Sequence, residues 1–204
     1  RDRNEVVEEM VQHCAEYYGY SAELADYWSK LIGNPEELIE FFEANEKHRP
    51  VTLRTNTMKC RRKQLQQVLN QRGAVAEPIG EWTKVGLKVL ESTIPVGATP
   101  EYLSGHYMIQ SASSFVPVMA LNPQMNETIL DMAAAPGGKT TYIGQLMQNT
   151  GVLFANDLKK ERCKSLAANC QRMGLSNVIV MNQDGTTLGE NLPRVDRVLL
   201  DAPC

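Results

Sequence analysis

The sequence predicts an α/β protein: a parallel sheet in the C-terminal part, preceded by a small α+β module and a helical N-terminal layer. Three observations predict it. From Thr128 onward, short runs of Val, Ile and Leu alternate with helical patterns, as in parallel strands joined by crossover helices and covered on both faces. The first of these runs opens T128-I-L-D-M-A-A-A-P-G-G-K-T-T141, in which a strand, an acid and a glycine turn lead into a helix N-terminus. Charge is also divided along the chain. Residues 1–48 hold four basic and twelve acidic side chains, a net −8, whereas residues 49–90 hold nine and two, a net +7.

With 204 residues, 43% of them hydrophobic and 22% charged, the chain has enough apolar surface for a sizeable core. Its apolar runs fall well short of the ~20 residues that cross a bilayer, so no membrane is expected. The chain starts at Arg1 and stops at Cys204, and is expected to be a fragment; a missing targeting segment then carries no weight. Cys14, Cys60, Cys163, Cys170 and Cys204 form no C-x-x-C pair and are odd in number, which favours a reduced intracellular compartment and argues against a metal site. The first four read as free buried thiols.

Taken in order, residues 5–18 and 21–32 read as amphipathic helices, the first with Val6, Val7, Met10, Val11 and Cys14 on one face and the second capped by Ser21. Asn34-Pro35-Glu36-Glu37 starts a third, with Leu38, Ile39, Phe41 and Phe42 inward. These acidic helices, residues 1–48, read as a solvated layer. Residues 49–93 form the small module: a strand over His48–Asn56, a helix over Arg61–Gln71 ending at Gly73, and strands over Val75–Pro78 and Leu87–Glu91. It carries the basic excess (Arg49, Arg54, Lys59, Arg61, Arg62, Lys63, Arg72, Lys84 and Lys88), a candidate RNA-facing surface. Residues 94–127 are a linker and helix region: Ile94–Gly105 is rich in breakers, and Gly105–Leu121 reads as strand-like at first and then helical, with His106 a structural or loop histidine. Residues 128–204 hold strands Ile129–Met132, Gly151–Asn156, Val178–Met181 and Val195–Leu200, with helices from about Lys139 to Gln148 and Lys160 to Met173.

In such a sheet ligands lie outside the carboxyl ends of the strands. Asp131, Asp157, Asp184 and Asp201 all fall at or just after those ends and are expected to converge on one crevice. Four carboxylates suit S-adenosylmethionine, with its ribose diol, exocyclic amine, ammonium and sulfonium. An acid ending the second strand, here Asp157, is the usual partner of a ribose diol. The span Ala133 to Thr140 also approaches the phosphate-loop spacing G-x-x-x-x-G-K-[ST], with Val198-Leu-Leu-Asp201 as a possible magnesium-binding strand. Against a triphosphate, Ala133 replaces the first glycine, Pro136 removes a backbone donor and Asp131 sets negative charge beside the phosphates.

At A-A-A-P-G-G-K-T followed by V-L-L-D-A-P-C, the chain resembles the RNA cytosine-5 methyltransferases of the nucleolar antigen/Sun family. The segments N-P-E-E-L-I-E-F-F-E-A-N and E-Y-L-S-G-H-Y-M-I-Q-S-A-S-S-F-V-P-V-M-A-L are most similar to the branch acting in the nucleolus on large-subunit ribosomal RNA. The resemblance implies a Rossmann-like methyltransferase domain, here its first half, behind an RNA-recognition-like module. It implies S-adenosylmethionine held by Ala133, Ala134, Ala135, Pro136, Gly137, Gly138 and Lys139, with Asp157 at the ribose, Asp184 at the adenine, and Asp201 near the methionine end and the target base. Many members have cysteine at the place of Ala133. The implied partners are ribosomal RNA and proteins of the pre-ribosomal particle. Carbon 5 of cytosine needs a thiolate added at carbon 6 before it can take a methyl group. The family draws that thiolate from a cysteine one strand further on, so Cys204 is expected to serve product release and the fragment to be inactive alone. A scaffold that binds ribosomal RNA through the basic segment is the alternative.

Overall fold

The structure is a computed structural model that describes residues 2–47 and 49–202, with only the backbone described at positions 3, 4, 190 and 191. The Cys204 expectation therefore lies outside the described residues, as does the strand start at His48. The chain divides into two compact units, Arg1–Arg49 and Pro50–Cys204.

The first unit consists of helices α1 (Arg3–Tyr18), α2 (Ala22–Ile32) and α3 (Pro35–Glu46). Ser21 accepts the Leu24 N–H at 3.2 Å and Asn34 the Glu36 N–H at 3.0 Å, and Gly19 and Gly33 end the first two helices in the left-handed region. Val11, Cys14, Ala15, Ala25, Leu38 and Phe42 form the core, with Tyr18 stacked on Phe42 at 5.2 Å. The inward stripe is narrower than the sequence pattern: Val6 is 47% exposed and Ile39 38%. A three-helix layer offers each helix only a thin seam, and residues at the margin of the stripe stay in solvent.

The second unit begins with an antiparallel sheet of β1 (Val51–Thr55), β2 (Ala74–Pro78), β3 (Gly86–Ser92) and β4 (Tyr107–Ile109) in the order β2-β3-β1-β4. Helix α4 (Arg62–Gln71) packs Leu65 and Leu69 on Leu53, Leu87 and Val89. Strand β4 lies in the stretch after Gly105 expected to be strand-like; it pairs Leu53 with Ile109 and Thr55 with Tyr107. The short helix α5 (Pro100–Leu103) precedes it, so the module reads β-α-β-β-α-β. A 3₁₀ turn (Ala112–Phe115) and α6 (Val116–Leu121) lead to the second sheet.

That sheet is wholly parallel, with β5 (Thr128–Asp131), β6 (Val152–Asn156), β7 (Val178–Met181) and β8 (Arg197–Leu199) in the order β7-β6-β5-β8. Helices α7 (Gly138–Leu146) and α8 (Lys160–Met173) make the crossovers, and α9 (Leu188–Asn191) precedes β8. The chain winds outward from β5 to β7 and then returns to β5's other side, so strand order reverses between β5 and β8. Ile129, Leu153, Ile143, Met147, Phe115, Val118 and Leu199 form one core under α6 and α7, and Ala155, Leu166 and Cys170 another under α8.

By strand alternation, Ile129, Leu153 and Ala155 share the face that these three helices cover. On the opposite face Leu130 is buried, and it, Met132 and Val198 share a hollow with Gly185, Leu188 of α9 and residues 192–195, while Ile179 and Val198 are 48% and 46% exposed. The expected cover is thus full on one face and partial on the other. Runs of Val, Ile and Leu fit a strand buried on both sides, but the run alone does not say what lies opposite.

Candidate functional site

Strand β5 ends at Asp131, and the next six residues turn back over the strand ends before α7 begins at Gly138. The turn is held by backbone bonds: Met132 N–H donates to Leu199 O at 2.9 Å, Ala134 N–H to Asn156 O at 2.7 Å and Gly137 N–H to Ala134 O at 2.8 Å. The loop therefore ties β5, β6 and β8 together where strand order reverses. Small residues are required because the loop lies flat against α8. Gly137 has φ 103°, and a Cβ there would stand 3.0 Å from Leu166 Cδ1. The Ala135–Pro136 bond is cis.

Two of the expected acids brace this loop from below. Asp131 is buried, and its Oδ2 accepts the Thr140 hydroxyl at 2.7 Å. Burial pushes its carboxyl up to about 6; the Thr140 bond and the Lys139 charge pull it down, and the charges of Asp201 and Asp157 add to the rise. Asp157, also buried, accepts the Ala135 N–H at 3.2 Å and the Lys159 N–H at 3.0 Å. Arg162, from the first turn of α8, closes over it with Nη1 3.3 Å from Oδ2 and donates through Nη2 to Ala135 O at 2.5 Å.

Above the loop is a cleft of about 440 Å³ lined by Ala133, Ala134, Ala135, Pro136, Gly138, Lys139, Arg162, Asp201 and Ala202, with Met108, Ile109, Gln110 and Ser114 as its far wall. Lys139 pairs with Asp201 across its mouth. Of the four acids, then, Asp131, Asp157 and Asp201 gather around the loop, and only Asp201 lines the cleft. Asp184 is exposed and caps its own turn, accepting the Thr186 N–H at 2.9 Å and hydroxyl at 2.8 Å, which holds its carboxyl below the usual range. It is not brought to the cleft wall.

The expected basic face is corrected at one residue, Arg54; its other cations are exposed or half-buried, several of them hydrogen-bonded. Arg54 is fully buried. Lys59 donates to Ser104 O and Arg172 O, Arg62 donates to Thr83 O, Arg72 pairs with Glu101, and Lys88 stands 3.7 Å from Glu77. Arg61, Lys63 and Lys84 are exposed, and the first two line a shallow groove with Gln64 and Gln67. A separate hollow of about 300 Å³ between α4 and α5 holds Lys59, Cys60, Glu101 and His106. There His106 Nδ1 lies 2.8 Å from Ser104 Oγ, and burial pushes the Cys60 thiol up to about 11. Burial likewise raises Cys14, Cys163 and Cys170, the last to about 11, and no described cysteine lines the cleft. No group of three or more His, Cys, Asp or Glu among the described residues is arranged to hold a metal ion.

Reading the sequence missed Arg162, Gln110 and the destination of Arg54. A cation five positions after a strand-end acid, in the first turn of the following helix, was the available signal for Arg162. Nothing local marks the other two.

Residues 118–204 match the family model described as 16S rRNA methyltransferase RsmB/F, and residues 24–96 match that of the RsmF/B-like ferredoxin-like domain. The chain is 56% identical to the 25S rRNA (cytosine-C(5))-methyltransferase nop2 of Schizosaccharomyces pombe, over all of this chain and 34% of that protein. It is 52% identical to the human 28S rRNA (cytosine(4447)-C(5))-methyltransferase, over all of this chain and 25% of that protein. Among solved structures, a methyltransferase homolog from Pyrococcus horikoshii aligns with TM-score 0.79 at 38% identity, over 96% of this chain and 63% of that one. The chain thus spans about a third or less of these curated relatives.

Proposed function

The chain belongs to the RsmB/F family of rRNA methyltransferases, and on that premise we propose that it forms the RNA-facing module and cofactor-binding part of an enzyme that methylates carbon 5 of cytosine in large-subunit ribosomal RNA. The observation that carries this reading is the loop Ala133 to Lys139, braced by two buried carboxylates and opening on a cleft with Asp201 at its mouth.

The residues present fit S-adenosylmethionine. A flat backbone loop at the reversal point of a parallel sheet offers N–H and C=O groups to an adenosine, and the carboxylates of Asp131, Asp157 and Asp201 around it outnumber the two cations, Lys139 and Arg162. Bound there, the cofactor would supply an electrophilic methyl group on a cationic sulfur. Ala133 to Gly138 would lie against it. A carboxylate has about four acceptor positions, so Asp157 keeps one for a ribose hydroxyl once the Arg162 side chain swings aside. Asp184 would reach the adenine through movement of its turn. Asp201 would exchange Lys139 for the methionine end and the edge of the target base, where hydrogen bonding favours addition of a thiolate to the ring. The described cysteines are held as neutral thiols away from the cleft, which supports drawing that nucleophile from elsewhere and leaving Cys204, two positions after Ala202, to product release. Single-stranded RNA would meet the exposed Arg61 and Lys63. The 25S and 28S relatives support a nucleolar place of action among pre-ribosomal proteins.

Calorimetry of the full-length protein with S-adenosylmethionine and with ATP tests the reading. Binding of the methyl donor, weakened by Asp157→Ala, is expected. Binding of ATP in its place would overturn the assignment.

A further inference from the structure

Among the described residues, Arg54 is a cation without a counter-ion. It sits on β1, between β3 and β4 in the small sheet, and is 0% exposed. Its Nη1 donates to Gln110 Oε1 at 2.5 Å and to Gly138 O, its Nη2 to Thr141 Oγ1 at 2.7 Å, and its guanidinium carbon lies 4.9 Å from the centre of the Tyr142 ring. Among the described residues no carboxylate pairs with it, and Nε is buried without a partner. Burial pushes its pKa down to about 9, so it remains charged at neutral pH.

Stability alone does not explain such a residue. A buried ion replaced by a packed apolar side chain often leaves a protein no less stable. What an apolar chain cannot do is distinguish the oxygen of an amide from its nitrogen. A guanidinium only donates, so it must face Gln110 Oε1, which leaves the Gln110 NH₂ on the side of Ser114 and Gly138. Nε2 is 3.5 Å from Ser114 O, and a Cβ on Gly138 would stand 3.2 Å from it. Gln110, Ser114 and Gly138 are all cleft-lining residues.

We infer that Arg54 is a positioning residue: a side chain of the RNA-facing module that sets the cofactor cleft by orienting the Gln110 amide and fixing the first turn of α7. The inference rests on the reading of the cleft as a methyl-donor site. The two halves of the reaction, RNA docking and cofactor binding, then share a rigid part.

The test uses the full-length protein carrying Arg54→Met, Arg54→Lys or Gln110→Leu, and the double variant Arg54→Met/Gln110→Leu. It measures the affinity for S-adenosylmethionine and its product by calorimetry, for a single-stranded rRNA oligonucleotide by fluorescence anisotropy, and the melting temperature. Expected are a cofactor affinity weakened roughly tenfold or more in Arg54→Met, RNA affinity unchanged, partial recovery in Arg54→Lys, and a double variant no worse than either single one. A folded Arg54→Met that binds cofactor like the wild type overturns the inference, as do additive losses in the double variant. If Arg54→Met does not fold, a folded Gln110→Leu with wild-type cofactor affinity overturns it equally. Absence of methyl-donor binding by the wild type would instead remove the functional reading, and this inference with it.

Discussion

Asp131 has the most legible chemistry of any side chain in the molecule. Unfolded, its carboxyl titrates near 3.8; folded, burial carries it to about 6. A raised carboxyl means that the fold favours the protonated form. That contribution is fully present below 3.8 and is lost as pH rises from there through about 6. At ~1.4 kcal/mol per pKa unit the loss is about 3 kcal/mol at most. Asp131→Asn keeps an acceptor for Thr140 and removes the ionisation. Urea unfolding of the ligand-free variant should therefore lack this fall between about pH 4 and pH 7 and give a higher stability than wild type at neutral pH. An unchanged pH slope would assign the effect to another group. Asp131 and Asp157 were legible in the sequence because an acid at a strand end has few places to go. Arg54 was not: a basic residue on an alternating strand reads as surface until the element above it is known, and its partners lie 56 to 87 positions away.

The small module and the parallel sheet's helix α8 are joined at a helix end. The last carbonyls of α8 have no partner within the helix. The small module supplies them: Lys59 Nζ donates to Arg172 O at 3.0 Å and Asn56 Nδ2 to Met173 O at 2.8 Å. A cation at that end also suits the helix dipole. Arg172 returns the contact, donating to Tyr102 O at 2.7 Å and lying 4.1 Å from the centre of the Tyr102 ring. Gly105 permits this approach. It has φ +74°, and a Cβ there would fall 1.9 Å from Arg172 O, a backbone atom. Gly105→Ala should cost about 3 kcal/mol or more, as strain and displaced backbone add, read from the urea midpoint. A loss under about 1 kcal/mol would show that the junction yields easily. The helix and strand periods were readable over most of the chain, and the strand-like start of Gly105–Leu121 is β4; its three residues are too short to show alternation, so its partner in the small sheet was not legible.

Across the molecule, charge is distributed differently from what the sequence totals imply. Of the nine cations in the +7 segment, Arg54 is buried, and Lys59, Arg62, Arg72 and Lys88 have partners on this chain at or near the surface. Arg61, Lys63 and Lys84 are exposed and have no ion pair among the described residues. Replacing Arg61 and Lys63 by Ala should weaken binding of single-stranded rRNA and lower the slope of log affinity against log salt by about 1.4, since each phosphate contact on a single strand contributes about 0.7. Cofactor affinity should be untouched, the reverse of the Arg54→Met pattern. A salt slope unchanged in the double variant would move the RNA path to another face.

The order of the chain was enough to specify the parallel sheet, the glycine loop and the acids around it, because strand period, turn chemistry and strand-end position are local properties that neighbouring residues fix. It could not specify which acids line a cavity and which brace it, which cations are exposed, or which sheet face is covered. Those depend on what packs against a residue from far along the chain, and burial reverses the meaning of a charge: the same arginine that would bind phosphate in water holds an amide in place when enclosed.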